Sequence, residues 1–89
     1  MCAGTIEIAK MSGSAKGAIG WFTVAQAQVV SDHPYRAQMD EALIIDFTNP
    51  ERGPSARVSV ELSGESARAL IKAIEAALLD GELRHGAGH

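Results

Sequence analysis

Among its 89 residues the sequence has a single cysteine, Cys2. One thiol cannot form an internal disulfide, and it cannot build a zinc site from several thiolates. Aromatic residues are also few, with one tryptophan, one tyrosine and two phenylalanines. A single domain of this size buries only about 60 to 65% of the surface of its unfolded chain. A partner subunit is therefore an expected source of stability.

The chain also lacks an excess of positive charge and a long apolar run. Its formal net charge is −3 and its eight basic residues are scattered singly, which argues against nucleic-acid binding. No apolar stretch reaches the roughly 18 to 20 residues of a membrane span, and the N-terminus lacks a secretion signal. We therefore expect a cytoplasmic protein that does not bind membranes.

Glycine-rich phosphate loops of standard form are absent as well. Ser12 to Gly17 contains glycines and one lysine, but its glycine spacing is too narrow for a Walker loop and an extended run, not a helix, follows it. The stretch is interpreted as a flexible hairpin loop, with a lid over a site as the alternative. No cofactor is predicted.

Four stretches show the alternation of apolar and polar residues that is typical of β-strands. They are Thr5 to Ala9, Trp21 to Val30, Leu43 to Thr48 and Arg57 to Leu62. Pro34 should end the second strand near Asp32, because proline cannot donate a ladder hydrogen bond. Asn49 to Pro54 is rich in turn-forming residues and predicts a hairpin loop.

One amphipathic helix is predicted after the strands. Ser63 is a suitable N-cap and Gly81 a suitable C-terminal stop. Apolar residues recur at three- and four-residue spacing between them, at Ala67, Leu70, Ile71, Ile74, Ala77 and Leu78. The predicted fold is α+β, a four-stranded antiparallel meander with the helix packed on one face. Residues 1–81 should form the single domain and 82–89 a flexible tail.

One helix covers only one face of a sheet. The expected uncovered side carries apolar residues, namely Trp21, Ala25, Ala27, Val29 and Ile44. An exposed apolar sheet face usually marks a protein interface. We therefore expect a homodimer with two-fold symmetry, in which sheet faces or edges pair.

Chemistry-bearing side chains are concentrated between Ser31 and Asp46, which include a histidine, a tyrosine, an arginine and four carboxylates. Histidine changes its charge near neutral pH, so His33 is a candidate general acid or base that Asp32 could orient. The alternative is a plain turn in which Asp32 accepts hydrogen bonds from backbone amides.

A small polar ligand could lie among the other side chains of this segment. Arg36 could bind a carboxylate or phosphate and Tyr35 could donate a phenolic hydrogen bond. Trp21 is a further candidate ligand-binding residue. Asp46 interrupts an apolar strand, so it should be partly buried and either paired or active in catalysis. The alternatives are a solvated loop and, for Asp46, a side chain facing water at the edge of the sheet.

Cys2 and His33 are candidate metal ligands, but they supply only two donors, fewer than the three or four that zinc usually takes. A free, partly buried thiol is the alternative for Cys2. The predicted site therefore contains no metal ion.

Several short motifs occur together along nearly the whole chain. They are Gly13 to Gly17, Gly20 to Phe22, Asp32 to Pro34, Ile45 to Phe47, Gly53 to Val58 and Ser66 to Arg68. In this combination the sequence resembles a family of small actinobacterial proteins that is known as a domain of unknown function. The resemblance implies a shared fold. It also implies a histidine trio in relatives, two members of which are replaced here by Arg36 and Glu41.

Three hypotheses on function follow. The first is a homodimeric small-molecule-binding protein, in the form of a metal-free cyclase or isomerase of actinobacterial secondary metabolism. His33, Asp46 and Tyr35 would be its catalytic residues, and Arg36 and Trp21 would bind the ligand. The second is a non-catalytic homodimeric binding or assembly module. The third is a metal-binding protein that uses Cys2 and His33.

Overall fold

The fold consists of an antiparallel sheet followed by one helix. The computed structural model of the chain describes residues 4–34, 36 and 40–85. The elements are β1 (Glu7–Gly17), β2 (Gly20–Asp32), β3 (Ala42–Thr48), β4 (Arg57–Leu62) and α1 (Gly64–His85), with a short 3₁₀ helix at Pro50–Arg52. The strands are ordered β1-β2-β3-β4 and each neighbouring pair is antiparallel. The predicted α+β class and meander topology are confirmed.

The register of the sheet separates strands β2, β3 and β4 into an apolar and a polar face. Directly paired residues point to the same side of a sheet. The apolar sheet face carries Ala27, Val29, Leu43, Ile45, Phe47, Val58, Val60 and Leu62. The polar sheet face carries Gln26, Gln28, Asp46, Thr48, Arg57 and Ser59.

The register corrects one expected grouping. Val29 pairs with Ile45, whereas Ile44 pairs with Val30. Ile44 therefore does not share a face with Val29 and Ala27. It is a buried residue on the side of Asp46.

The first hairpin is longer than its sequence predicts. β1 continues through Gly17, so the stretch from Ser12 is strand and not loop, and the turn lies at residues 18–19. Gly20 closes this turn at φ 111°, a backbone conformation that favours glycine. A register shift between Lys10 and Gly13 marks a bulge in β1. Because β2 supplies pairing partners on both sides of this bulge, small residues of low strand propensity remain extended in β1.

The connection between β3 and β4 folds as a capped turn. Asn49 Oδ1 accepts a hydrogen bond from the backbone N–H of Glu51 at 3.2 Å, and its Nδ2 donates to the carbonyl of Thr23 at 2.9 Å. Gly53 ends the turn at φ 93°. This confirms the predicted hairpin loop and fastens it to β2.

The core lies where the far end of the first hairpin approaches β4. Phe22, Val24 and Ala56 are buried together, and Phe47 and Val58 of the apolar sheet face pack against them. β1 and β4 are at opposite edges of the sheet and yet come into contact, which requires a strongly curled sheet. No polar residue is buried in the part of the chain that the structure describes.

α1 starts as predicted. Ser63 Oγ accepts a hydrogen bond from the backbone N–H of Ser66 at 3.0 Å, and the Ser63 carbonyl accepts from the backbone N–H of Ala67 at 2.9 Å. The end differs from the prediction, because the helix passes through Gly81 and continues to His85. Residues 82–85 thus belong to the helix, whereas 86–89 lie outside the described residues. An ion pair between Asp80 and Arg84, one turn apart, spans the glycine.

Contact between α1 and the sheet is confined to the start of the helix. The exposed fraction rises from 9% at Ala67 to 50% at Ile74 and 75% at Leu83. The sequence pattern predicts that the helix packs across one face of the sheet. In the structure the helix instead leaves the sheet, because Ser63 alone joins it to β4. Among the described residues, no helix combines the length and apolar character needed to cross a membrane.

Candidate functional site

The polar segment after β2 begins with a local turn. Asp32 is the last residue of β2, and its Oδ1 accepts a hydrogen bond from the backbone N–H of His33 at 2.7 Å. His33 itself is exposed. This hydrogen bond matches the predicted alternative, in which the carboxylate satisfies a backbone amide and does not orient the imidazole.

The segment contacts the end of β4. The backbone N–H of Arg36 donates to Glu61 Oε1 at 2.9 Å, and the Arg36 residue is exposed. Glu41 Oε2 accepts a hydrogen bond from Ser31 Oγ at 3.2 Å. Tyr35, the predicted phenolic donor, lies outside the described residues, as does Cys2.

Asp46 is placed away from the polar segment and has its own partners. It is in the middle of β3, four residues from Ala42, which pairs with Asp32. At the rise of an extended strand this separation corresponds to about 13 Å. The structure therefore does not bring Asp46 beside His33, and it places exposed Trp21 near the opposite end of β2.

A compact network surrounds the Asp46 carboxylate on the polar sheet face. Arg57 Nε donates a hydrogen bond to Asp46 Oδ1 at 3.1 Å, and Arg57 Nη2 forms an ion pair with the same oxygen at 3.0 Å. Ser59 Oγ also donates to Oδ1 and accepts from Arg57 Nε at 3.2 Å. The Asp46 side chain is 17% exposed. The predicted partly buried carboxylate is thus paired, and the arginine neutralises its charge.

Sequence reasoning missed Arg57 and Ser59 as partners of Asp46. Their alternation with Val58 and Val60 places both on one side of β4, but it does not show which residue of β3 they face. That information comes from the register, in which Asp46 pairs with Ser59 and Thr48 with Arg57.

A cavity of about 360 Å³, which we call the turn cavity, lies beside this network and has a mostly apolar lining. Its polar lining comes from Gln26, Gln28, Thr48, Asn49 and Arg57, and the β3–β4 connection supplies Pro50, Gly53, Pro54 and Ala56. Thr48 Oγ1 is buried and has no hydrogen-bond partner. A buried hydroxyl beside a cavity that can hold water or ligand atoms is a candidate binding group.

Two further cavities are present. One lies beside the start of the helix, and the other lies on the apolar side of the sheet. A helix-base cavity of about 420 Å³ is lined by Ser31, Glu41, Ala42, Leu43, Gly64, Ala67, Arg68 and Ile71. An apolar hollow of about 330 Å³ is bounded by residues 11–16 of β1 with Val24, Phe47 and Val58. None of the three cavities is lined by His33, Arg36, Asp46 or Trp21.

The described residues contain no group of three or more His, Cys, Asp or Glu side chains that could hold a metal ion. Cys2 is not among those residues. Metal binding through Cys2 and His33 stays a prediction.

The most extensive surface feature is apolar. Four residues of α1, Leu70, Ile71, Ile74 and Leu78, form a stripe along the helix and are 43 to 61% exposed. We refer to these four as the helix stripe. The large residues of the apolar sheet face are only half-buried. Two apolar surfaces of one chain are thus accessible together.

Comparison with known proteins identifies a family. The family of unknown function DUF6295 matches residues 1–86, nearly the whole chain. This confirms the resemblance to a domain family without an assigned activity. No curated protein and no solved structure matches the chain.

Proposed function

We propose that the chain, which belongs to the DUF6295 family, is a homodimeric assembly module that associates through α1 and the apolar sheet face. The exposure of the helix stripe carries this proposal. Side chains of this size normally supply the core of a small domain, and each contributes about 1.5 to 3 kcal/mol when fully buried. A second copy would remove the same side chains from water.

The dimensions of the chain support the same proposal. Its radius of gyration is 15.0 Å, against about 12 Å for a compact domain of this length. Its accessible surface is 6878 Å², against roughly 5,000 Å² for a monomeric protein of this mass. The excess is roughly 1,900 Å² per chain, or roughly 3,800 Å² for two chains, which falls within the total area that obligate homodimers bury.

Sedimentation equilibrium tests the proposal by measuring the mass in solution of the unaltered chain and of two variants, Ile74→Glu and Ala69→Glu. The unaltered chain should have twice the 9.3 kDa of one copy. Ile74→Glu places a charge in the centre of the helix stripe and should weaken association at least about 100-fold, because an unpaired charge is costly to bury. Ala69→Glu adds the same charge on the opposite side of α1 and should leave the dimer intact.

A monomeric mass for the unaltered chain at micromolar concentration would contradict the proposal. Equal weakening by the two glutamates would also contradict it, because Ala69 lies outside the helix stripe. Circular dichroism of each variant monitors whether the helix is retained.

Binding of a small molecule with polar groups at the turn cavity is a second candidate function. The observation that favours it is the buried Thr48 Oγ1 without a partner, next to the amides of Gln26 and Gln28. The expected ligands present carboxylate or carboxamide groups to these donors and to Arg57. Such ligands should shift the side-chain amide NMR signals of both glutamines, and Thr48→Val should weaken binding about tenfold. Signal changes confined to other residues would contradict this candidate.

Acid–base catalysis by a metal-free cyclase or isomerase remains a prediction. It assigns proton transfer to His33 or Asp46, stabilisation of negative charge to Tyr35 and Arg36, and ligand contact to Trp21. Each catalytic effect would be worth about 10²- to 10⁴-fold in rate. Full activity of both His33→Ala and Asp46→Ala on the true substrate would eliminate it. The metal hypothesis is tested separately, by the metal content of dialysed protein that carries no tag.

A further inference from the structure

A single residue joins the sheet to the helix. β4 ends at Leu62 and α1 begins at Gly64, so Ser63 is the whole connection, and its side chain also caps the helix. Connections between strands and helices in compact domains usually have 2 to 6 residues. One residue is too short for α1 to turn back along its own sheet. The outward rise in exposure from Ala67 to Leu83 follows from this constraint.

We propose that α1 is exchanged between two copies, so that the helix stripe of one chain lies on the apolar sheet face of the other. This inference rests on the proposed self-association and names the surface that each helix covers. A short hinge favours exchange of the element that follows it. Reciprocal exchange gives each sheet one helix and closes the assembly with two-fold symmetry.

The lengths of the two surfaces match. From Leu70 to Leu78 the helix rises by about 12 Å. Phe47 and Val58 already pack in the core, so the rest of the apolar sheet face runs from Leu43 to Ile45 along β3 and from Val29 to Val60 across three strands, about 7 Å by 10 Å. Its diagonal of about 12 Å lets a helix that lies obliquely to the strands cover this surface. Direct pairing of the two helices would cover the stripes but leave both sheet faces exposed, so exchange removes more apolar surface from water.

Cross-linking between separately labelled chains tests which surfaces meet. Cys2→Ser is combined with one of three further changes: Ile74→Cys in the helix stripe, Val60→Cys on the apolar sheet face, or Ser59→Cys on the polar sheet face. Two variants are unfolded in urea, mixed, refolded together and treated with a short bismaleimide. Ser59 is the matched control, because it is adjacent to Val60 and points to the other side of β4.

The expected result is at least about tenfold more cross-linked product from the Ile74→Cys and Val60→Cys mixture than from the control mixture, because opposite faces of a sheet are separated by its backbone. Self-linking of Ile74→Cys without linking to Val60→Cys would overturn helix exchange and leave the dimer proposal standing. A single chain that carries both Ile74→Cys and Val60→Cys should not be cross-linked to itself. An intramolecular link in that chain would also overturn exchange. A monomeric mass of the unaltered chain would overturn both proposals.

A longer hinge provides a second test. An insertion of about four glycine and serine residues after Ser63 would allow α1 to fold onto its own sheet. The expected product is a monomer that keeps its helix. An equally long insertion in the turn at residues 18–19, which joins β1 to β2, should leave the dimer intact. A dimer of unchanged affinity after the hinge insertion would overturn the exchange.

Discussion

Individual side chains on the polar sheet face are organised around Asp46. Its Oδ1 accepts hydrogen bonds from Arg57 and Ser59, and the side chain is mostly removed from solvent. A carboxylate in such a position loses hydration, and the guanidinium and hydroxyl replace it. The network fastens the centre of β3 to β4. The structural role of Asp46 is therefore clear from its contacts.

Asp46→Asn should lower the free energy of unfolding by about 1 kcal/mol, because it removes a charge that accepts several hydrogen bonds. The matched control is Asp80→Asn, which breaks an exposed ion pair with Arg84 one turn away and should cost under about 0.5 kcal/mol. Urea unfolding at a fixed protein concentration measures both. Equal losses would show that burial of Asp46 adds nothing to the ion pair.

Backbone conformation distinguishes two glycines of the first hairpin. Gly20 has φ 111° and Gly13 has no positive φ, and a Cβ at either position would meet no atom within 4 Å. Gly20→Ala should therefore destabilise by about 1 to 2 kcal/mol through backbone strain alone. Gly13→Ala should change stability by less than about 0.5 kcal/mol. Thermal unfolding of the two variants provides the comparison, and a neutral Gly20→Ala would show that the turn relaxes.

Among the elements, α1 owes its stability within one chain more to its N-cap than to packing on the sheet. Only Ala67 of the helix is buried, so packing contributes little to α1 within one chain. Isolated helices of moderate length are marginal in water, which makes the hydrogen bond to Ser63 Oγ important. The helix also needs the exposed stripe to be covered for full stability.

Ser63→Ala should reduce stability by about 1 kcal/mol, because the first turn loses its side-chain acceptor. Ser66→Ala is the control, since the backbone N–H of Ser66 makes the capping bond and is retained; the expected change is within about 0.3 kcal/mol. Far-ultraviolet circular dichroism during thermal unfolding reports on both. If Ser66→Ala lost as much helix as Ser63→Ala, the cap would not be the cause.

At the scale of the whole molecule, folding and association should be coupled. The described core of one chain contains seven buried apolar residues, three of them alanines from the strands and connections and a fourth from α1. Such a core stabilises a domain only weakly. A dimer that covers the helix stripe and the apolar sheet face would add the missing burial.

Coupled folding and association make stability depend on concentration, because mass action favours the folded dimer. A 100-fold dilution should lower the midpoint of thermal unfolding by several degrees, since about 2.7 kcal/mol of stabilisation is lost. The Ile74→Glu variant should show no such dependence. A midpoint for the unaltered chain that is independent of concentration would indicate that one copy folds alone.

The order and type of the elements can be predicted from the sequence alone. Alternation defines β3 and β4, Pro34 marks the end of β2, and the spacing from Ala67 to Leu78 defines an amphipathic helix. These signals are local, and each is set by the side-chain periodicity of a single element. The N-cap at Ser63 and the hairpin loop at Asn49 to Pro54 depend on equally local signals, and the sequence predicts both.

Which elements meet depends on contacts between residues that are distant in the sequence. A strand that slips by two residues keeps the same alternation of apolar and polar side chains, so alternation does not fix the register. The observed register places Arg57 and Ser59 beside Asp46 and separates Asp46 from His33. The extent of β1 likewise depends on its pairing with β2. An apolar stripe shows that α1 must be covered, but its direction depends on the one-residue connection at Ser63, which carries the stripe away from its own sheet.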